Sequence, residues 1–370
     1  MSNEMRLHIP FLELGRLHES LRPELEAKFT EILRVGVFSS GHEVESFARE
    51  VSRFLGVKYA IPCSNGTDAL EMALKVVGVK PGDEVIVPAL SWISTAEAVV
   101  NIGAVPQFAE VDRNGLLDLN RLDKGLSERT KAIIPVHLYG KMVDMAALTT
   151  FARSMDLRVV EDAAQAFGAF QSGIPAGGWG DVGCFSFYPT KNLGALGEAG
   201  LLVTSDSISA ENLSLFLNHG QPKRDEHEIS GRNAKIDTLQ AAFLRIKLKH
   251  FESMQERRKK LAAIYLERLG GLSEISLPMG MLQADHNAHL FTIQCVNRDQ
   301  LKAYMEERGI GTAIHYPEIL PHLKPFLEGR AFPVASTIAR STLSLPLNPS
   351  LREEEVHRVC DALVAYFQRG

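Results

Sequence analysis

Short apolar runs that end in polar residues alternate with amphipathic stretches along this chain. That alternation narrows the folds open to it more than any other feature. Strand-like runs stand at 132–136, 158–160 and 201–203, and helical periodicity covers 43–54 and 144–153. Continuous apolar runs suit strands buried on both faces, and helices between them suit parallel crossovers. The pattern therefore predicts an α/β fold whose central sheet is mostly parallel, with helices on both faces. At 370 residues and 45% hydrophobic content the chain can bury a large core and is too long for one layered domain. A long helical pattern over 237–269 links a large α/β domain, placed at 1–250, to a smaller α+β domain at 251–370. An amphipathic helix at 353–367 closes the second, and 221–230, charged and aperiodic, reads as an exposed loop.

Open α/β sheets bind ligands outside the carboxyl ends of their strands, so polar residues just past apolar runs are the candidates. The run 182–187 leads into Tyr188-Pro189-Thr190-Lys191-Asn192-Leu193-Gly194. A lysine boxed in by aromatics, proline and glycine is partly desolvated, and burial disfavours the ammonium form. The neutral amine is a nucleophile that can form a Schiff base with a carbonyl. The same side chain could instead snorkel or pair with a carboxylate. Asp162 ends the run 157–162. A carboxylate there can keep a pyridine nitrogen protonated, as a pyridoxal 5′-phosphate (PLP) ring requires, or it can cap a following helix. Ser64-Asn65-Gly66-Thr67-Asp68 opens an amphipathic helix after a short strand. Gly66 permits close approach of a ligand and the helix start offers unpaired N–H groups to an anion, although an ordinary Asn-Gly turn would look the same. Trp92 follows the run 85–89 and can stack on a heteroaromatic ring or fill the core.

In combination these segments, with Glu161-Asp162-Ala163-Ala164-Gln165, Gly231-Arg232-Asn233 and Asp237-Thr238-Leu239-Gln240-Ala241-Ala242, resemble the DegT/DnrJ/EryC1/StrS family. The resemblance runs from about Ile9 to the carboxyl end. It implies a fold-type I PLP enzyme of the aspartate aminotransferase superfamily. The implied reaction moves an amino group, from glutamate, to a nucleotide-linked keto sugar, giving an amino sugar for cell-surface polysaccharide or secondary metabolites. Carried over residue by residue, it makes Lys191 the Schiff-base lysine and proton shuttle, Asp162 the partner of the ring nitrogen and Gln165 a contact of the 3-oxygen. Trp92 takes the stacking position, and Gly66, Thr67 and Ser186 hold the phosphate. Asn233 would reach the phosphate of a neighbouring subunit, in a homodimer with shared active sites. His315 and Tyr316 match a segment near the sugar, with a structural histidine beside a rigid turn as the alternative. Lysine at 191, where a dehydrating branch carries histidine, favours amino transfer.

The chain departs from the commoner family pattern at Phe167, at Arg232, Ala234 and Lys235, and at Glu198-Ala199-Gly200. Arg232 and Lys235 are expected near the mouth of the site, where they bear on the choice of sugar. Two rival readings share parts of this set. One is amino transfer to another ketone such as an inosose. The other is a regulatory protein, which would need no intact Lys191, Asp162 and Gln165.

A formal charge of −5 argues against a nucleic-acid partner, and the basic run 257–260 reads as a solvated helix face. Cysteines 63, 184, 295 and 360 lack metal or disulfide spacing, which suits reduced thiols in the cytoplasm. His286 and His289 are three apart just before a strand, and no metal is expected there. The glycines of 173–180 read as a loop beside the active site. The opening residues lack a basic segment leading into an apolar one, and no apolar run approaches the roughly 20 residues that span a bilayer, so neither signal peptide nor membrane partner is expected.

Overall fold

The structure, a computed structural model, describes residues 8–122 and 126–368. Its strands are β1 (Tyr59–Cys63), β2 (Glu84–Pro88), β3 (Val105–Ala109), β4 (Thr130–Ile133), β5 (Arg158–Asp162), β6 (Phe170–Gln171), β7 (Ile174–Pro175), β8 (Val182–Ser186), β9 (Gly200–Thr204), β10 (Phe291–Gln294) and β11 (Thr342–Leu345). Among the described residues, seven of them form one sheet in the order β1-β9-β8-β5-β4-β2-β3. From β8 to β3 every pairing is parallel. β9 is antiparallel to both of its neighbours, so the carboxyl ends of β1, β2, β5 and β8 share one edge. Sequence and structure agree on a mostly parallel sheet. The reversal at β9 follows from the connection after β8, a loop rather than a helical crossover, and that loop carries Lys191.

Every residue of β2 and of β9 is buried, as strands covered on both faces require. The helix His42–Leu55 turns Phe47, Val51 and Leu55 inward at helical spacing and ends on Gly56 with φ 69°, a left-handed cap that glycine adopts without steric cost. The helix Gly66–Val76 is buried over most of its length and packs against β8 and β9.

Two apolar clusters organise the interior. The first surrounds the sheet and includes Val85, Val160 and Leu202, together with Phe251, Ile319 and Phe332 from later in the chain. The second joins Leu261, Tyr265, Phe291, Leu301, Val356 and Leu363 with Ile9 from the other end of the chain. Ile9 pairs with Ile310 in a parallel bridge, and Arg16 makes a two-bond pair with Glu355 at 3.0 and 2.9 Å.

The single long helix expected over 237–269 is two helices, Thr238–Lys249 and Phe251–Leu269. The break falls at His250, and Phe251 beyond it packs into the first cluster, 5.4 Å from Phe54 and 5.1 Å from Phe167. The basic run is also not wholly solvated. Arg258 shares a helical face with Phe251, Ala262 and Tyr265 and is buried, donating to the carbonyls of His289 (3.4 Å) and Leu347 (2.9 Å). Burial lowers its pKa to about 10. The helix Glu353–Phe367 lies where the periodicity puts it. Among the described residues, no helix is long and apolar enough to cross a membrane. All four cysteines are free and buried.

Candidate active site

The loops beyond β1, β2, β5 and β8 converge on a cavity of about 730 Å³. It is lined by Lys191, Asp162, Gln165, Trp92 and Ser186, by Gly66 and Thr67 at a helix start, and by His315 and Tyr316 from the later part of the chain. Asn233 does not line it. Asn233 is exposed and faces Asn218 in an isolated bridge.

One end of the cavity suits an anion. Asn65 caps the helix Gly66–Val76, its side chain accepting from the Asp68 N–H at 2.8 Å, and the first N–H groups of a helix have no partner inside it. A Cβ on Gly66 would fall 2.9 Å from Cβ of Ser186, so the helix start lies against the end of β8 only because residue 66 has no side chain. The Thr67 hydroxyl donates to Ser94 Oγ at 2.8 Å, and Ser186 Oγ accepts from the Tyr188 N–H at 3.2 Å.

Asp162 lies deeper. Its Oδ2 accepts from the Thr95 hydroxyl at 2.8 Å and its Oδ1 from the Ala164 N–H at 3.2 Å. Ser91 supports Thr95 at 2.8 Å. Burial pushes the Asp162 pKa up, against the opposing pull of Thr95, Ala164 and the more distant Lys191 and His137. Among the described residues no cation comes within ion-pair distance of Asp162. A buried carboxylate so placed needs a positive or proton-bearing partner, and a protonated ring nitrogen meets that need.

The glycine-rich stretch 173–180 does not border the cavity. It lies on the other side of β5, where the N–H groups of Gly177 (2.8 Å), Trp179 (2.6 Å) and Gly180 (2.7 Å) donate to Glu161. Successive strand residues face opposite ways, so Glu161 must point away from the side that Asp162 serves. His137 completes the set: its Nδ1 accepts from the Val143 N–H at 3.2 Å, which leaves Nε2 to donate to Glu161 at 2.9 Å.

Lys191 is half-buried, in a turn closed by its own N–H donating to the Tyr188 carbonyl at 2.8 Å. Desolvation lowers its pKa to about 8, although Asp162 pulls the other way. The loop is pinned at two points just after the lysine. Asn192 donates to the Asn287 carbonyl at 2.9 Å, and buried Lys247 donates to the Gly194 carbonyl.

Gln165 is held at both ends of its amide, accepting from the Tyr139 N–H at 2.7 Å and donating to the Tyr316 hydroxyl at 3.0 Å. Trp92 is 57% exposed, with its ring tilted 5.5 Å from that of Tyr316. His315 binds Ser344 Oγ through Nδ1 at 2.8 Å, and burial, with Lys191 nearby, lowers its pKa to about 4. Arg232 borders the cavity and pairs with Asp68 at 2.5 Å and Glu71 at 2.6 Å. Lys235 does not line it; its backbone bridges to Cys63 and its side chain is exposed. Phe167 stacks on Phe54 at 5.4 Å and belongs to the core. Ser91, Thr95 and His289 are site residues that motif reading passed over. The hydroxyls on either side of Trp92 were the available signal for the first two.

The DegT/DnrJ/EryC1/StrS aminotransferase family model matches residues 19–364. The chain is 41% identical over 367 residues to the dTDP-3-amino-3,4,6-trideoxy-alpha-D-glucose transaminase of Streptomyces venezuelae, covering 98% of this chain and 97% of that protein. It is 40% identical over 359 residues to the UDP-N-acetyl-3-dehydro-alpha-D-glucosamine 3-aminotransferase of Acidithiobacillus ferrooxidans, covering 96% and 97%. The crystal structure of S. venezuelae DesV superposes with a TM-score of 0.94 at 40% identity, covering 97% of this chain and 98% of that one. NtdA of Bacillus subtilis, solved with bound cofactor PMP, gives 0.92 at 32% identity, covering 97% and 85%.

Proposed function

The chain belongs to the DegT/DnrJ/EryC1/StrS aminotransferase family, and we propose that it transfers an amino group from glutamate to a nucleotide-linked keto sugar, with PLP as cofactor. The observation that carries this reading is the buried, cation-free carboxylate of Asp162 in the same cavity as Lys191 and a helix start suited to phosphate. The amino sugar so made would enter cell-surface polysaccharide or secondary-metabolite synthesis.

When bound, PLP supplies an electron-withdrawing ring that stabilises charge on the reacting carbon. The residues fit that group and divide the remaining work. Gly66, Thr67 and Ser186 take its phosphate, with the free N–H groups at the helix start. Asp162 keeps the ring nitrogen protonated, Gln165 meets the 3-oxygen, and Trp92 covers the ring face. Lys191 holds the cofactor through its amine and, once released, moves the proton at the substrate carbon. Its lowered pKa favours both duties, because a neutral amine is needed for each. His315 and Tyr316 border the space left for the sugar.

In this reading residues 1–250 form the cofactor-binding domain, and residues 251–370 form the smaller domain that brings His315 and Tyr316 to the cavity. Asn233 lies outside the cavity of its own chain, which suits an amide donated to the phosphate of a neighbouring copy in a homodimer. Four free, buried cysteines suit the reducing cytoplasm. The test is to incubate the PLP-loaded protein with glutamate and a panel of dTDP- and UDP-linked keto sugars, and to identify the products by mass. An aminated nucleotide sugar is expected. A cofactor spectrum unmoved by glutamate, with every sugar returned unchanged, would refute the reading.

A further inference from the structure

His289 lines the cavity with Lys191 and Asp162 but comes from a separate stretch of chain, just before β10. Its Nδ1 lies 3.0 Å from Oδ1 of Asn192, the residue after Lys191. The Asn192 amide is oriented from its other end. Nδ2 donates to the carbonyl of Asn287 at 2.9 Å and to Oε1 of Gln255 at 3.1 Å. A backbone carbonyl can only accept, so the amide nitrogen must face Asn287 and the amide oxygen must face His289. Nδ1 of His289 therefore carries the proton, and in a neutral ring Nε2 is left as a lone-pair acceptor. Burial, with Lys191 and Arg258 nearby, holds the ring's pKa well below its usual value and keeps it neutral.

Among the described residues, no protein group bonds to Nε2. Among the described residues, the sealed side-chain polar atoms without a partner belong to Trp179, Asp285 and Thr342. Nε2 of His289 is thus not sealed, and the cavity is where it opens. Near it, the Gln165 amide meets Tyr139 and Tyr316, and His315 Nδ1 meets Ser344. An uncharged acceptor, fixed in one tautomer and free of protein partners, is equipped to receive a hydrogen bond from whatever enters.

We propose that His289 is a further substrate-binding residue, whose Nε2 accepts a hydrogen bond from a donor the substrate carries: a hydroxyl of the sugar or the ammonium of the amino donor. The proposal rests on the aminotransfer reading and adds a residue to it. His289→Asn keeps an N–H where Nδ1 meets Asn192 and has no atom at the Nε2 position. His289→Gln reaches that position with a polar atom.

The two half-reactions are measured separately on the holoenzyme, one with L-glutamate and one with a dTDP-linked 3-keto-6-deoxyhexose. H289N should raise the apparent KM in one arm by about tenfold to a hundredfold, the weight of one lost hydrogen bond to a buried partner, with the other arm unchanged and H289Q largely restored. A loss in the glutamate arm identifies the ammonium as the donor, and a loss in the sugar arm identifies a hydroxyl. H289N at wild-type KM in both arms overturns the proposal. A wild-type enzyme inert in both arms overturns the aminotransfer reading instead. A readout independent of turnover is the ¹⁵N spectrum of the wild-type holoenzyme labelled at histidine. Nε2 of His289 should resonate as an unprotonated nitrogen and shift when L-glutamate or the nucleotide sugar is added. A protonated Nε2 in the free enzyme refutes the assignment even if the variants fail to fold.

Discussion

Glu161 and Asp162 are consecutive residues of β5 whose carboxylates lie on opposite sides of the strand in opposite conditions. Glu161 is saturated by the N–H groups of Gly177, Trp179 and Gly180 and by His137. Asp162 receives one hydroxyl and one N–H and faces the cavity. The strand's two-residue period lets one acid serve the scaffold and the next serve the site.

Substitution should separate those duties. Asp162→Asn removes a buried, under-compensated charge and should leave the melting temperature of the apo protein unchanged or higher. The single-turnover rate with glutamate should fall by roughly a hundredfold or more, the usual loss when a group aimed at developing charge is removed. A variant with near-normal half-reaction rates would make Asp162 a structural residue. Glu161→Gln should do the reverse and unfold at lower denaturant, by roughly 2–4 kcal/mol, because an amide cannot accept all four donors.

Lys191 should set a pH dependence on cofactor uptake. Its pKa is lowered to about 8, so the neutral, reactive amine is the minor form below that pH and the major form above it. The rate at which apo protein takes up PLP covalently should rise with pH through a midpoint near that value. A midpoint in the range of an ordinary lysine, about 10.4, would show that the loop does not desolvate the amine.

Gly66→Ala should weaken cofactor binding without touching a charged group. The added Cβ meets Ser186 Cβ at 2.9 Å, so the helix start must draw back from the end of β8. Equilibrium titration should show the PLP dissociation constant raised by about tenfold, equivalent to about 1.4 kcal/mol. Unchanged affinity would place the phosphate elsewhere.

A mixing experiment tests the shared site. Subunits disabled by Lys191→Ala are combined with subunits weakened by Asn233→Ala. If each Asn233 serves its neighbour, exchange creates dimers with one site carrying both defects and one carrying neither, and activity should reappear. Mixtures that exchange yet never exceed their parents would confine Asn233 to its own chain.

The sheet and the ends of its strands were legible because apolar runs and the residues after them are local in sequence. Lys191, Asp162 and the Gly66 turn each line the cavity within a few positions of a strand end. His289 was not legible. Its tautomer depends on Asn192, 97 residues away, and on a carbonyl at Asn287 that orients the amide. Arg258 hid in a run of like charges, because only packing reveals which member of the run faces Phe251 and Tyr265. The glycines of 173–180 read as a loop beside the active site, but they serve Glu161 instead, since composition marks a loop and not which carboxylate it meets. The split at His250 was masked by helical periodicity that continues on both sides of it.

The pairing of Arg16 with Glu355 spans 339 positions, and Ile9 completes a cluster otherwise built from the far end of the chain. On a ribosome, which delivers the chain from its beginning, those opening residues emerge long before the partners that bury them. Ile9 must wait for Ile310, and Arg16 for Glu355 in the helix Glu353–Phe367, before either has its native partner. The sheet can assemble during synthesis, whereas this long-range closure waits until the helix Glu353–Phe367 has emerged.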